Sequence, residues 1–343
     1  MDCPVCGSDC VRPAHEVLAA LPTRFLSCPS CRMKVLDKRA PLPALEYPKP
    51  CSCGKRFIDG VFAHLYVIMV EEGDLTRRDP LIATGSPLVH PGYAMDRPPF
   101  LPGKSLLLMS GNVSDRTARR IMSEVPEMRG VVRSGNFVPG LVRHDLSCPP
   151  KTYECLAGCD VRADIYPLGP EPLVIYKPQS RLHIEFPRAG FSKLRSVMAH
   201  VGDPPVSLFV DACCGPGTLG LTAASRGVPH VILNDAWYWS AYWSAVNLEV
   251  NRECFDIEHV RFIGPPPGPG QPPLGAEPVK IAESVGRQKI EIYFGDFRNL
   301  GCVIPRDAHP VAALDIFEKN NQEGTRALLS RWQELFGGDV FIP

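Results

Sequence analysis

From Val206 onward, short apolar runs alternate with segments whose apolar residues recur at helical spacing. Val206–Asp211, His230–Asn234, Ile290–Phe294, Val311–Ile316 and Asp339–Ile342 predict strands. Thr218–Arg226, Trp237–Asn251 and Glu323–Phe336 predict the helices between them. That alternation predicts an α/β domain over 206–343. Upstream, Leu173–Tyr176 and Leu182–Phe186 flank a short polar turn and predict a hairpin. Ser114–Ser123 predicts a helix with Ser114 as N-cap and Asp115 in its first turn. With the apolar runs Phe62–Val70 and Ser105–Met109, these make 61–205 a mixed α+β region. Residues 1–60 are turn-rich and hold seven cysteines, a separate module. Gly264–Pro278 can neither pair as a strand nor continue a helix, which predicts a mobile insertion.

Composition narrows this picture. Apolar residues make up 45% of the 343, enough for a buried core. Basic and acidic side chains both number 37, but unevenly placed: 26 against 21 over 1–205, and 11 against 16 over 206–343. Neither half is strongly basic, which weighs against tight binding to a phosphate backbone. The longest apolar run, Val61–Val70, includes His64 and is too short to span a bilayer. Met1-Asp2-Cys3 opens no secretory signal, so a cytoplasmic protein is expected, with no membrane partner. Its 14 cysteines then read as metal ligands or buried thiols.

The densest chemistry lies in Leu208-Phe-Val-Asp-Ala-Cys-Cys-Gly-Pro-Gly-Thr-Leu-Gly220, a strand, a glycine turn and a helix start. Gly215 and Gly217 let the backbone turn tightly beside a ligand at the carboxyl end of a strand. With Gly220 they also spell the GxGxxG of dinucleotide enzymes. Asp211, four residues before Gly215, would repel a pyrophosphate but accept a hydrogen bond from the ammonium of a methionine moiety. Asn234 and Asp235 end the next strand, where a carboxylate can take both ribose hydroxyls of a nucleoside. Asp296 and Phe297 end the third, with an acid for an adenine amino group and a ring for the base. Cys213 lines the turn, and it and Cys214 read as small packed residues, not nucleophiles.

With these residues in place, 206–316 resembles the class I S-adenosylmethionine (SAM)-dependent methyltransferases. Asp211, Gly215 and Gly217 match the first motif, Asp235 the ribose acid and Asp296 the adenine-side acid. The run Asn234-Asp235, Ala241, Ala245-Val246-Asn247 and Asn251 is similar to the branch of archaeal tRNA guanine and ribosomal-protein methyltransferases. The resemblance implies a Rossmann-like sheet, SAM as cofactor, and Asp315 as base or orienting group, since family members contact substrate there. Glu318 follows one helical turn later. The bland alternative for Asp315 is a helix N-cap. Two departures stand out. The chain has Leu314-Asp-Ile-Phe-Glu-Lys-Asn320 where amine- and amide-methylating members carry Asn-Pro-Pro-Tyr. The family sheet has seven strands, so an upstream segment, the 173–186 hairpin, is expected to complete it. Trp237, Tyr238, Trp239, Tyr242 and Trp243 read first as packing, second as a wall against substrate.

Cys3-Pro-Val-Cys6 and Cys28-Pro-Ser-Cys31 form two CxxC knuckles that can present four thiolates to zinc. Cys51-Ser-Cys53 offers another pairing, with Cys28 and Cys31, and Cys10 can join a second site. Cys148, Cys155 and Cys159 form a weaker cluster, for which a structural role is expected. Zinc ribbons of this kind serve macromolecules, so the acceptor is expected to be a macromolecule. Neutral charge, the acidic second half and the missing Asn-Pro-Pro-Tyr put a protein side chain first. The ribbon and the family branch put RNA second. A non-catalytic zinc-ribbon interaction protein and a nicotinamide-dependent oxidoreductase are the remaining alternatives.

Overall fold

The computed structural model describes residues 1–140, 146, 150–168, 171–183, 185–188, 190–202, 204–268, 270–316 and 321–343. Cys148 and Glu318 lie outside them, as does Ile184 of the expected hairpin. The chain divides into two units. One comprises Met1–Pro139, Thr152–Asp164 and Pro178–Phe186, and the other Gly140–Lys151, Ile165–Lys177 and Pro187–Pro343.

In the first unit, α1 (Ala14–Arg24) precedes a two-residue strand, β1 (Arg56–Phe57), which runs into α2 (Ile58–Glu72). Every residue from Asp59 to Met69 is buried. A helix buried on all sides needs apolar residues on all sides, which explains the Phe62–Val70 run, interrupted by His64. Gly73 ends α2 in the left-handed conformation at φ 84°. The strands β2 (Ser86–Val89), β4 (Leu106–Ser110), β5 (Met128–Arg133) and β6 (Glu154–Gly158) form a sheet in that order, while β3 (Phe100–Leu101) pairs with β1. Parallel β4 and β5 are joined through α3 (Asp115–Glu124). As the sequence predicts, Ser114 caps α3, its Oγ accepting from the Thr117 amide at 3.3 Å.

Two strands, β7 (Val161–Tyr166) and β8 (Leu173–Pro178), pair with each other, and the division between the units falls within both. The expected hairpin therefore has the wrong second strand. Leu173–Tyr176 is a strand, but its partner precedes it. After Pro178 the chain turns back: the Gln179 amide donates to Asp160 O at 3.1 Å and the Ser180 amide to Asp160 Oδ2 at 2.7 Å. Those bonds use the backbone that a forward hairpin would need.

The second unit continues with α4 (Ser192–Gly202), β9 (Leu208–Asp211), α5 (Thr218–Ser225), β10 (His230–Asp235), α6 (Tyr238–Val250), β11 (Ile257–Phe262) and β12 (Val279–Gly286). It ends with β13 (Lys289–Phe294), β14 (Val311–Ala313), α7 (Gln322–Phe336) and β15 (Asp339–Phe341). Its sheet has seven strands in the order β11-β12-β13-β10-β9-β14-β15. The five strands from β13 to β15 run parallel, and β11 and β12 are antiparallel additions at one edge. The seven are thus completed within the unit by β11 and β12, and the upstream hairpin takes no part. The Gly264–Pro278 stretch joins those two added strands. It is tied to the start of α6 rather than loose: Tyr238 Oη donates to Pro265 O at 2.7 Å, and Gln271 Nε2 to Ala236 O at 2.8 Å.

Candidate functional site

Strand order reverses between β9 and β14, because β10 leaves β9 on one side and β14 pairs with its other side. Ligands of open α/β sheets bind at the carboxyl ends of strands at such a switch point. Asp211 ends β9 there, opposite Ala313 of β14 and Leu233 of β10. The fold is a Rossmann-like, mostly parallel sheet with its switch point beside Asp211.

The turn after β9 shows why its glycines stand where they do. Gly215 and Gly217 have φ of 53° and 87°. A Cβ on Gly217 would lie 2.9 Å from Ser244 Cβ, so α6 packs against the turn only because nothing is there. The turn is then pinned from below. The Gly215 amide donates to Asp235 Oδ2 and the Trp237 amide to Asp235 Oδ1, both at 2.8 Å. Asn234 Nδ2 donates to Ala212 O at 3.1 Å and Gly295 O at 3.0 Å, joining the ends of β9 and β13.

Asp211 is fully buried. Its Oδ2 accepts from the Gly220 amide at 2.8 Å, and its Oδ1 has no partner. Burial pushes this carboxyl up to about 8, helped by the charges of Asp315 and Asp235 and opposed by the Gly220 amide. Burial likewise raises Asp235 to about 6. A buried carboxylate oxygen without a donor is costly unless a ligand supplies one. A cationic ligand suits that oxygen in chemistry, and a pyrophosphate does not. Burial and the same acids hold the Cys213 and Cys214 thiols well above their ordinary value, so neither serves as a thiolate.

Other predicted residues have partners that the sequence does not reveal. Asp296 accepts from the Arg298 amide at 3.0 Å and from Arg298 Nε at 2.8 Å. The Phe297 ring lies 6.3 Å from that of Trp332. Asp315 Oδ2 accepts from Lys193 Nζ at 2.7 Å. Asp315 does not cap α7, whose N-cap is Asn321. The aromatic cluster of α6 is packing: Trp237, Tyr238, Trp239, Tyr242 and Trp243 are all buried.

Asn247 and Asn251 acquire a definite task. Asn247 Oδ1 accepts from the Tyr176 amide at 2.7 Å, and its Nδ2 donates to Tyr176 O and Pro216 O, each at 2.9 Å. Asn251 repeats the reciprocal pair with Val174, at 2.9 and 2.7 Å. Residues four apart on a helix are spaced by about 6 Å and residues two apart on a strand by about 7 Å. Two helical asparagines thus stand in for a neighbouring strand along β8, and one of them also grips the glycine turn.

In the first unit eight cysteines gather into two sets of four, and Cys155 joins neither. Cys28, Cys31, Cys51 and Cys53 form one, with sulfur separations of 3.6–3.7 Å. Cys3, Cys6 and Cys10 form the other with Cys159, at 3.1–3.9 Å. Tetrahedral zinc with bonds of about 2.3 Å places its sulfurs about 3.8 Å apart, so both sets fit a site of four thiolates. The first pairing of knuckles, Cys3 and Cys6 with Cys28 and Cys31, is therefore replaced by the alternative. Cys159 reaches Cys3 because the β6–β7 turn sits tightly on β5: a Cβ on Gly130 would lie 2.6 Å from Cys159 O.

No family model matches the chain, and no curated protein matches it. Among solved structures it is similar to P. horikoshii TYW2 in complex with MeSAdo, at 17% identity and a TM-score of 0.38. That likeness covers 68% of this chain and 65% of the other. It is also similar to an M. jannaschii tRNA m1G37 methyltransferase, at 13% identity and a TM-score of 0.37, over 77% and 58%. The chain spans less than two thirds of the length of either structure. Among the described residues no helix is long and apolar enough to cross a membrane.

Proposed function

We propose that the protein is a SAM-dependent methyltransferase whose acceptor is an RNA base, with one zinc ion in each cysteine set. The observation that carries the reading is Asp211 Oδ1, buried without a donor at the switch point of the sheet. Bound SAM supplies an electrophilic methyl group on a sulfonium. Asp211 would hold the ammonium of its methionine part, and Asp235 the ribose hydroxyls through the lone pairs left on its two oxygens. Asn234 and the glycines keep the turn in place beneath it. Asp296 and Phe297 belong to the nucleoside end. Asp315, held by Lys193, orients the acceptor or takes its proton. Alignment of the two reactants then does most of the catalysis.

RNA comes ahead of protein because of local charge. Overall neutrality hides the segment 26–55, which has six basic residues and two acidic ones. This reverses the ordering drawn from the sequence, which put a protein side chain first. The tRNA named for the M. jannaschii protein is a ligand of the same class. Calorimetry with SAM and with NAD tests the cofactor. Micromolar binding of SAM without binding of NAD supports the reading, and the absence of heat with SAM at millimolar concentration would sink it. Labelling of cell extract with radioactive SAM, followed by nuclease or protease, identifies the acceptor polymer.

A further inference from the structure

Beside the Cys28–Cys53 set lies a cavity of about 440 Å³. Its floor is apolar and includes Leu36, Leu42, Phe57 and Phe100, with the Phe57 and Phe100 rings 5.3 Å apart. Arg32, Lys34 and Lys49 stand on its lining. All three are exposed, and among the described residues no carboxylate pairs with any of them. One acid, Glu46, shares the lining.

The walls are held from behind. Arg56 is buried and donates twice to Glu127, at 2.9 and 2.5 Å. Its Nη1 donates to Pro48 O at 3.2 Å and to His64 Nδ1 at 3.1 Å. His64 stacks on Tyr47 at 3.5 Å. The opposite wall is fixed by Asp59, which accepts from the Leu36 amide at 2.8 Å and from Lys38 Nζ. The buried Arg56–Glu127 pair is thus spent on the scaffold, while Arg32, Lys34 and Lys49 on the lining have no carboxylate partner among the described residues.

We propose that this groove binds single-stranded RNA, with a base on the apolar floor and phosphates on Arg32, Lys34 and Lys49. The volume falls within the range of small-ligand pockets, roughly 300–1,000 Å³. Apolar floor and unpaired cations together match a flat base on an anionic backbone. An acidic peptide would satisfy the cations but leave the floor without a planar group. The proposal rests on the RNA-methyltransferase reading and names where that substrate is held.

The test uses the full zinc-loaded chain and a fluorescein-labelled 12-nucleotide RNA of mixed sequence, read by anisotropy against salt. Replacing Arg32, Lys34 and Lys49 together by serine lowers the slope of log K against log salt by about 2, at about 0.7 for each lost contact. At 0.1 M salt this is a loss of about 100-fold. Glu46→Gln tightens binding a few-fold, a change that misfolding cannot produce. A poly-glutamate peptide of equal charge displaces the RNA at least tenfold less well than unlabelled RNA. Affinity within twofold of the parent in the triple variant, no gain for Glu46→Gln, or equal displacement by poly-glutamate each overturns the groove. SAM binding is measured on the same samples: its presence with a failed groove refutes the groove alone, and its absence refutes the methyltransferase reading.

Discussion

At the scale of single residues, Asp211 governs the proposed cofactor site. At pH 7 in the free protein its carboxyl, raised to about 8, is mostly protonated. A group raised by folding favours the folded state below its unfolded value and loses that contribution as pH climbs to the folded one. The free chain should therefore lose about 1–2 kcal/mol of stability between pH 6.5 and 8, and Asp211→Asn should flatten that decline. Chemical denaturation at several pH values measures both. Binding a cation needs the ionised form, so SAM should release close to one proton per site at pH 7. Calorimetry in buffers of different ionisation enthalpy reads the release, and Asp211→Asn should abolish it with a loss of about tenfold or more in affinity. Lys193→Met should lower kcat and shift its pH profile while SAM affinity stays within a few-fold. Asp211 and the glycines were legible because strand, turn and helix start are contiguous. Lys193 was not: it meets Asp315 across 122 residues, and a lone lysine in a helix gives no sign of its partner.

At the scale of elements, the asparagine pair at the C-terminal end of α6 ties three pieces of backbone together. Asn247→Leu removes the side chain that holds the Tyr176 amide and carbonyl and the Pro216 carbonyl. It should cost about 2–4 kcal/mol, visible as a lower urea midpoint. Asn251→Leu should cost somewhat less, because it releases no contact with the glycine turn. The sequence marks these positions only as a likeness to a family branch, since an asparagine inside a helix looks like any polar residue. The parallel strands were legible from their buried runs. Strand β11 was not, because it is an edge strand whose register shifts between Ile257 and His259: Glu258, His259 and Arg261 are open to solvent and break the alternation. The 182–186 segment misled for the opposite reason. It has strand composition, but Asp160 takes the preceding turn.

At the scale of the whole molecule, metal content separates the two cysteine sets. The purified chain should carry two zinc ions. Cys53→Ser and Cys159→Ser should each remove about one, measured by atomic emission. Loss at Cys159 should also loosen the first residues, raising amide exchange around Cys3–Cys10 and leaving Cys28–Cys53 protected. Spacing in the sequence announces the CxxC knuckles, yet it cannot pair them, because the partner of one set comes from a distant turn. That turn has a consequence for synthesis. Cys10 and Cys159 stand 149 residues apart. At about 5–20 residues per second, the first three thiols wait roughly 7–30 s for the fourth to be made. If both sets hold zinc as proposed, a nascent chain spends its early life with an incomplete chelate, while the Cys28–Cys53 set is finished a few seconds after it begins. Metal supply and thiol oxidation during translation should therefore damage the long-range set first.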